Sequence, residues 1–339
     1  MLLRGKREFL AQTLHWTGIS SLLAALPARD ALLVLNYHRI GDAAADPFDP
    51  ELFSATADEL DRQISYLKRH ISLVTLDEAQ AFVDGVDKSP RARALITFDD
   101  GYLDNYQLAF PVLRSHAVQG VFFLATSIVG SCAVPWWDRI AYLMKTARRR
   151  RFALRYPTDL AVDIDENGIA NSLRDVLTLY KRPETTDFAR FIEELQDAAN
   201  GDAPPPGLRR FLSWDEAREM IRGGMAIGSH TVSHHVLSQL PPAHQQDELS
   251  RSRDILSQQL GVAIDSLAYP VGLETAFTDQ TQCFARDTGY RIAFSFYGGV
   301  NYPGQTHPHN VKRVAVGGQS WTRFRVQTAV CRASGRLFP

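Results

Sequence analysis

Two adjacent aspartates and a spaced pair of histidines are where this sequence holds its chemistry. Asp99 and Asp100 follow the apolar run Ala94-Leu95-Ile96-Thr97-Phe98 and precede Gly101-Tyr102. His230 and His234 follow Met225-Ala226-Ile227-Gly228 at a spacing of i, i+4, which on one helical turn sets two imidazoles on one side. Imidazole nitrogens with one carboxylate and a position open to water make the donor set of a catalytic zinc site. Hydrolysis at such a site needs a Lewis acid that lowers the pKa of water and a base that completes the proton transfer. Neighbouring carboxylates can divide that work, one on the metal and one free as base. Each signal alone has an ordinary reading. Two surface histidines give the same H-x-x-x-H. Asp-Asp-Gly after a strand is commonly a turn, with Asp bonding locally and Gly supplying a positive φ. Their coincidence at strand ends of one repeat is what sets them apart.

The elements that must position these groups follow from hydrophobic periodicity. Ala31 to His38 is a buried strand that presents His38 at its end. Helical spacing over Asp58 to Arg69, a short strand over Ser72 to Leu76 and a helix from Asp77, placed as its N-cap, come next. Ala94 to Phe98 is a second buried strand, Leu108 to His116 a helix containing Pro111, and Gly120 to Ala125 a third strand. This rhythm predicts a βα-repeat with a parallel sheet, in which active residues sit at the C-terminal strand ends. From about 134 to 208 the rhythm changes to a mostly helical insertion, opened by Trp136-Trp137-Asp138 and carrying Arg148 to Arg151 at a helix end. The repeat resumes with a helix over Trp214 to Arg222, the strand before Ser229-His230, a helix over Asp247 to Leu260 and a strand over Leu267 to Tyr269. A helix over Ala276 to Thr288, strands over Ile292 to Phe296 and Val311 to Val316, and a closing helix over Trp321 to Val330 complete it.

Composition narrows the field. In 339 residues, 37 Lys and Arg balance 38 Asp and Glu, so the basic excess that nucleic-acid binding needs is absent. The three cysteines, Cys132, Cys283 and Cys331, form no C-x-x-C pair, which points away from disulfide scaffolds and thiolate zinc sites. No run of about 18 apolar residues predicts a membrane-spanning helix. Residues 1–30 form an N-terminal extension of one or two amphipathic helices (Phe9 or Leu10, Leu14, then Leu22 and Leu23) that pack on the protein or lie on a membrane surface. A weak signal peptide over Gly18 to Ala28 is a third reading, diluted by Ser20 and Ser21 and ended by Pro27 without a clear cleavage site. The expected location is the cytoplasm, at or near the inner membrane surface.

The haloacid-dehalogenase phosphatases also place an aspartate motif after a strand, but theirs is D-x-D and needs no H-x-x-x-H. Thr97-Phe98-Asp99-Asp100-Gly101-Tyr102 and His230-Thr231-Val232-Ser233-His234 instead resemble the first two motifs of the polysaccharide deacetylases, carbohydrate esterase family four with its nodulation-type deacetylase homology domain. Leu267-Ala268-Tyr269-Pro270-Val271-Gly272 resembles the tyrosine-proline-glycine loop of the exopolysaccharide-cluster branch, and Leu35-Asn36-Tyr37-His38-Arg39-Ile40 its opening strand. The resemblance covers about residues 31 to 330.

It implies an α/β fold, a distorted (β/α) barrel of fewer than eight regular units over residues 31–335. It also implies one divalent metal, zinc first and otherwise cobalt, nickel or manganese, and hydrolysis of N-acetyl, less often O-acetyl, groups on a sugar in a glycan or lipid-linked precursor. Asp99 then matches the catalytic base, and Asp100, His230 and His234 the metal ligands. Water activated by the metal attacks the acetyl carbon, Asp99 takes the proton, and the metal with a backbone N–H near Tyr269 stabilises the oxyanion. Two departures stand out. The third motif has no Arg, and the usual Leu-x-His is replaced by Asn310-Val311-Lys312-Arg313-Val314, where Arg313 resembles the arginine this branch has at that place and is expected to orient Asp99. The general acid is left open among His38, His307 and His309, with His38 the preferred extra polar contact. Tyr269 and Pro270 are expected at the substrate. Trp136 and Trp137 are expected either to stack on a sugar or to staple the insertion to the barrel. Asp138 is expected as an N-cap, Trp214 in the core, and His235 turned away from the metal. The competing functions are an idle glycan-binding relative and a metal phosphatase on a related barrel.

Overall fold

The computed structural model describes residues 2–17, 23, 26, 28–87, 91–205, 207 and 209–338. Its main sheet has strands β1 (Ala31–Tyr37), β2 (Ser72–Leu73), β3 (Ala92–Phe98), β4 (Gly120–Leu124), β5 (Ala226–Ser229), β6 (Ser266–Ala268), β7 (Ile292–Phe294) and β8 (Arg313–Ala315). The spatial order is β7-β6-β5-β4-β3-β1-β8, with β2 beside the start of β3, and every pairing is parallel. A bridge from Phe294 to Val311 brings the two edges together, with Ser295 N donating to Val311 O at 2.9 Å. The result is a nearly closed parallel barrel of seven strands, and β2 stands outside the ring.

The apolar runs are continuous because both faces of each strand are covered. On β1 and β3, Leu33, Leu35, Ala94, Ile96 and Phe98 pack outward against helices. The alternate residues Leu32, Val34 and Leu95 meet Val121, Phe123 and Phe294 inside the barrel. The period of two therefore puts Asn36 and Thr97, cross-strand neighbours in register, on the interior face just below the strand ends. Helices Ala57–His70, Leu76–Val83, Trp214–Arg222 and Asp279–Thr288 each open on a reciprocal capping box at Thr56, Thr75, Ser213 and Thr278. Thr75, not Asp77, is the cap of the second of these. The helix expected over Leu108 to His116 instead opens as a π-helical turn, Asn105–Ala109, and continues as Phe110–Ser115 with Pro111 in its first turn.

The insertion has a core of its own, in which Ile140, Leu143, Leu173, Val176, Phe191 and Leu195 surround Phe48 from the loop after β1. Helices Trp136–Lys145, Ile169–Tyr180 and Phe188–Ala199 are joined by an antiparallel hairpin, Arg151–Leu154 with Leu160–Asp163. Arg148 to Arg151 therefore does not end a helix. Arg148, Arg150 and Arg151 pair with Asp202, Asp165 and Asp163. The expected limit at Leu208 lies outside the described residues. Asp138 is not a cap either, since Pro135 occupies the cap position. Asp138 is fully buried, takes Arg210 Nε on its Oδ2 at 3.2 Å, and is pushed by burial up to about 7 against the pull of that arginine. Arg210 also reaches Asp46, which pairs with Arg39, and Arg39 Nε donates to Asp104 at 2.9 Å. This buried chain of charges fastens the insertion to the loop after β1.

The N-terminal helix Leu2–Trp16 packs Ala11 against Val326 and Phe338 and leaves Phe9 and Trp16 72% and 87% exposed. The second helical stretch and the weak signal reading rest largely on residues outside those described. No described helix is long and apolar enough to cross a membrane. Arg210→Ala leaves the fully buried Asp138 without its arginine, while Asp46 keeps Arg39, so it should lower unfolding stability by roughly 3–5 kcal/mol in a denaturant titration. A loss below about 1 kcal/mol would show that the network does not fasten the insertion.

Candidate active site

Asp99 stands at the end of β3, 2% exposed. Arg313 on β8 is fully buried and meets it as a fork, Nη1 to Oδ1 at 2.7 Å and Nη2 to Oδ2 at 2.9 Å. Asn36 Nδ2 donates to the same Oδ2 at 3.0 Å. Asn36 Oδ1 in turn accepts from Arg313 Nη1 at 2.9 Å and from Thr97 Oγ1 at 2.8 Å. Arg313 Nε donates to Ser295 O at 3.0 Å. Burial alone would raise this carboxyl. Arg313, with His230 and His38 nearby, outweighs it and holds Asp99 well below the usual carboxylate range. Sequence reasoning missed Asn36 and Thr97. The signal available was a polar residue at an inward parity near the end of each of two buried strands, directly after a run of apolar residues.

Asp100 turns the other way. Its Oδ1 lies 3.5 Å from His230 Nε2 and 3.2 Å from His234 Nε2, and those two nitrogens are 3.1 Å apart. All three residues are buried, and Asp100 Oδ1 has no hydrogen-bond partner. Three converging donor atoms, one of them an orphaned buried oxygen, fit a divalent cation. His230 Nδ1 donates to Ala268 O at 2.7 Å, which leaves Nε2 as the free lone pair. Burial pushes His230 down to about 4, against the opposing pull of Asp99, so it is neutral and able to ligate at neutral pH.

The i, i+4 spacing does not work through a helix here. His230 to His234 is a loop after β5, and Thr231 and His234 take left-handed backbone angles of φ 66° and 57°. Asp100 at 72° and Val271 at 63° do the same, so strained non-glycine backbone concentrates at this site. Glu248 on helix Pro242–Leu260 holds the loop. Its Oε2 accepts Val232 N at 2.8 Å and Ser233 N at 2.9 Å, and its Oε1 accepts Ser233 Oγ at 2.7 Å. Nothing in the sequence around Glu248 marks it.

The carboxylates and histidines open on a cleft of about 320 Å³. His38 lines it half-buried, with Nε2 4.0 Å from Asp99 Oδ2 and its ring beside Phe296. Trp136 lines it too, stacked on Tyr180 and donating from Nε1 to His234 O at 3.0 Å. Trp137 is 6% exposed, packs its ring 4.3 Å from that of His234, and donates to Tyr102 Oη at 2.7 Å. The tryptophans thus brace a histidine and join the insertion to the barrel.

Tyr269 and Pro270 are not at the cleft. Both are buried, and Tyr269 stacks on Phe277 and donates its hydroxyl to His309 O at 3.0 Å. The next residue, Val271, lines the cleft instead. His307 and His309 border a separate cavity beside Cys283, and His309 Nε2 bonds Tyr290 O, so neither approaches Asp99. His235 stacks on Phe188, away from the other two imidazoles, and Trp214 is partly buried against the core.

Comparison with known proteins agrees with this geometry. The family profile of the polysaccharide deacetylases matches residues 87–293. The chain is 22% identical over 207 residues to YxkH of Bacillus subtilis, which carries a polysaccharide deacetylase name, covering 61% of this chain and 46% of that one. It is 31% identical over 115 residues to the poly-β-1,6-N-acetyl-D-glucosamine N-deacetylase of Staphylococcus epidermidis, covering 30% and 39%. The matched regions span less than half the length of these curated relatives. Among solved structures, IcaB from Ammonifex degensii superposes with a TM-score of 0.59 at 23% identity, over 89% of this chain and 98% of that one. The BpsB deacetylase domain from Bordetella bronchiseptica gives 0.53 at 18%, over 85% and 98%. The two structures share the fold.

If Glu248 shapes the ligand loop, Glu248→Ala should weaken zinc binding about tenfold or more in a chelator competition at neutral pH. Unchanged affinity would show that the loop keeps its shape without it.

Proposed function

The chain belongs to the polysaccharide deacetylase family, and we propose that it is a zinc-dependent hydrolase that removes N-acetyl groups from the sugars of a glycan. The observation that carries this reading is the division between two adjacent carboxylates. Asp99 is fixed by an arginine and an asparagine, while Asp100 joins two histidines. Two nitrogens and one oxygen are a donor set suited to zinc. A divalent ion held by Asp100, His230 and His234 would supply Lewis-acid chemistry, lowering the pKa of a water and polarising the acetyl carbonyl.

The rest is the work of the chain's own residues. Asp99, kept ionised by Arg313, accepts the proton of the water that attacks the acetyl carbon. The fork from Arg313 and the bond from Asn36 hold that carboxylate in one orientation, so no reorganisation is needed when the proton moves. His38, 4.0 Å from Asp99 and open to the cleft, delivers a proton to the departing sugar amine. Tyr269 N–H is engaged with Phe294 O at 3.0 Å and Pro270 has none. Val271 N–H, with no acceptor among the described residues, donates to the developing oxyanion. Trp136, Leu273 and Phe296 supply apolar walls that limit water around the acetyl methyl.

Two experiments test this division. Asp99→Asn should keep the zinc, by elemental analysis, and lower acetate release from N-acetylglucosamine oligomers about 10²–10⁴-fold. A variant that loses the metal would place Asp99 among the ligands. Arg313→Met removes the opposing charge and leaves burial to raise Asp99. Because Asp99 acts ionised, the acid limb of kcat/KM should then move to higher pH, by about one unit or more. A limb that stays in place would contradict Arg313 as the residue that keeps Asp99 ionised.

A further inference from the structure

The cleft does not end at the metal ligands. A second cavity of about 260 Å³ shares Asp49, Glu51, Leu52, Leu177 and Lys181 with it, so one groove runs from Asp99 along the insertion to Lys145 and Arg174. Lys181 stands at the junction. It follows helix Ile169–Tyr180, and its N–H donates to Leu177 O at 3.1 Å. The buried amide of Gln239, on the barrel, donates to the carbonyls of both Tyr180 and Arg182 at 2.7 Å. One side chain therefore brackets Lys181 and fixes where its backbone sits.

The cations around the groove are engaged, with this exception. Arg313 faces Asp99, Arg39 and Arg210 face Asp46, and Arg174 faces Glu51 at 2.6 Å. Lys145 Nζ donates to Asp46 O at 3.3 Å. Lys181 Nζ, half-buried on the groove wall, has no hydrogen-bond or ion-pair partner among the described residues. The neighbouring carboxylates are also occupied, Glu51 by Arg174 and Asp49 by Glu51 N at 2.9 Å. Burial lowers the Lys181 amine, and Asp49 and Asp100 work in the opposite direction. An ammonium held out of bulk water without a partner is unfavourable, and an anionic acceptor relieves this more than a hydroxyl does.

We propose that Lys181 is a specificity-determining residue that binds an anionic group, phosphate or carboxylate, on the unit next to the acetylated sugar. This rests on the deacetylase reading of the cleft. The test compares three N-acetylglucosamine oligomers of equal length, one neutral, one bearing a phosphate monoester and one bearing a uronate. Each is titrated calorimetrically into the zinc-loaded wild type, Lys181→Met and Lys181→Arg, and acetate release is measured separately. The wild type should bind one charged oligomer about tenfold or more tighter than the neutral one. The tighter of the two identifies phosphate or carboxylate as the group. Lys181→Met should abolish that preference and Lys181→Arg should restore most of it. Equal binding of all three by the wild type, or a preference that survives in Lys181→Met, would overturn the proposal. A Lys181-dependent preference without acetate release from any oligomer would sustain the anion site and overturn the deacetylase reading.

Discussion

A guanidinium with no solvent exposure grips a carboxylate with almost none across the top of the barrel, and the remaining chemistry follows from that contact. The Arg313–Asp99 fork separates two neighbouring aspartates that would otherwise compete for one cation. With Asp99 committed to nitrogen donors from β8 and β1, Asp100 is the carboxylate that converges on both His230 and His234. A buried pair of this kind adds little net stability, because desolvation offsets most of the attraction. Its contribution is one fixed orientation and one protonation state. It also requires near-closure of the barrel, since Arg313 reaches Asp99 only where β8 lies beside β1 and its Nε meets Ser295 beyond β7.

Strain at the strand ends is the second constraint. Asp100, Thr231, His234 and Val271 take left-handed backbone angles that disfavour side chains. Such angles persist where the surroundings over-determine them. Glu248 does this for the histidine loop from below, and Trp137, anchored through Tyr102, does it from the side of the insertion. The insertion is thus part of the site. It braces His234, supplies the Trp136 wall and extends the groove to Lys181. Its attachment rests on the buried charges of Asp138, Arg210, Asp46 and Arg39.

Much of this was legible in the sequence. The short apolar runs before His38, Asp99 and His230 carry the barrel, because strands buried on both faces leave an unmistakable apolar pattern. The adjacent aspartates and the spaced histidines carry the metal site. What was not legible depends on distance along the chain or on local backbone. The i, i+4 spacing suggested a helical turn, but left-handed residues bring the histidines together. Tyr269 looked like a substrate contact because it ends a strand, yet its hydroxyl has a carbonyl partner in the core. Arg148 to Arg151 looked like a helix end because charge runs do not distinguish a helix terminus from a hairpin. Asn36 and Glu248 gain their roles from partners 63 and 15 or 16 positions away, and Lys181 is placed by Gln239, whose amide bonds the carbonyls of its two neighbours at separations of 59 and 57. No local pattern encodes such contacts.

The central claim is that Asp100 binds the cation while Asp99 remains with Arg313. Diffraction from zinc-soaked crystals at the zinc absorption edge tests it most directly. One anomalous peak is expected at about 2.0–2.2 Å from Asp100 Oδ1, His230 Nε2 and His234 Nε2, with the Arg313–Asp99 fork intact. A peak bridging both aspartates, or an Asp99 carboxylate drawn away from Arg313 onto the metal, would contradict it.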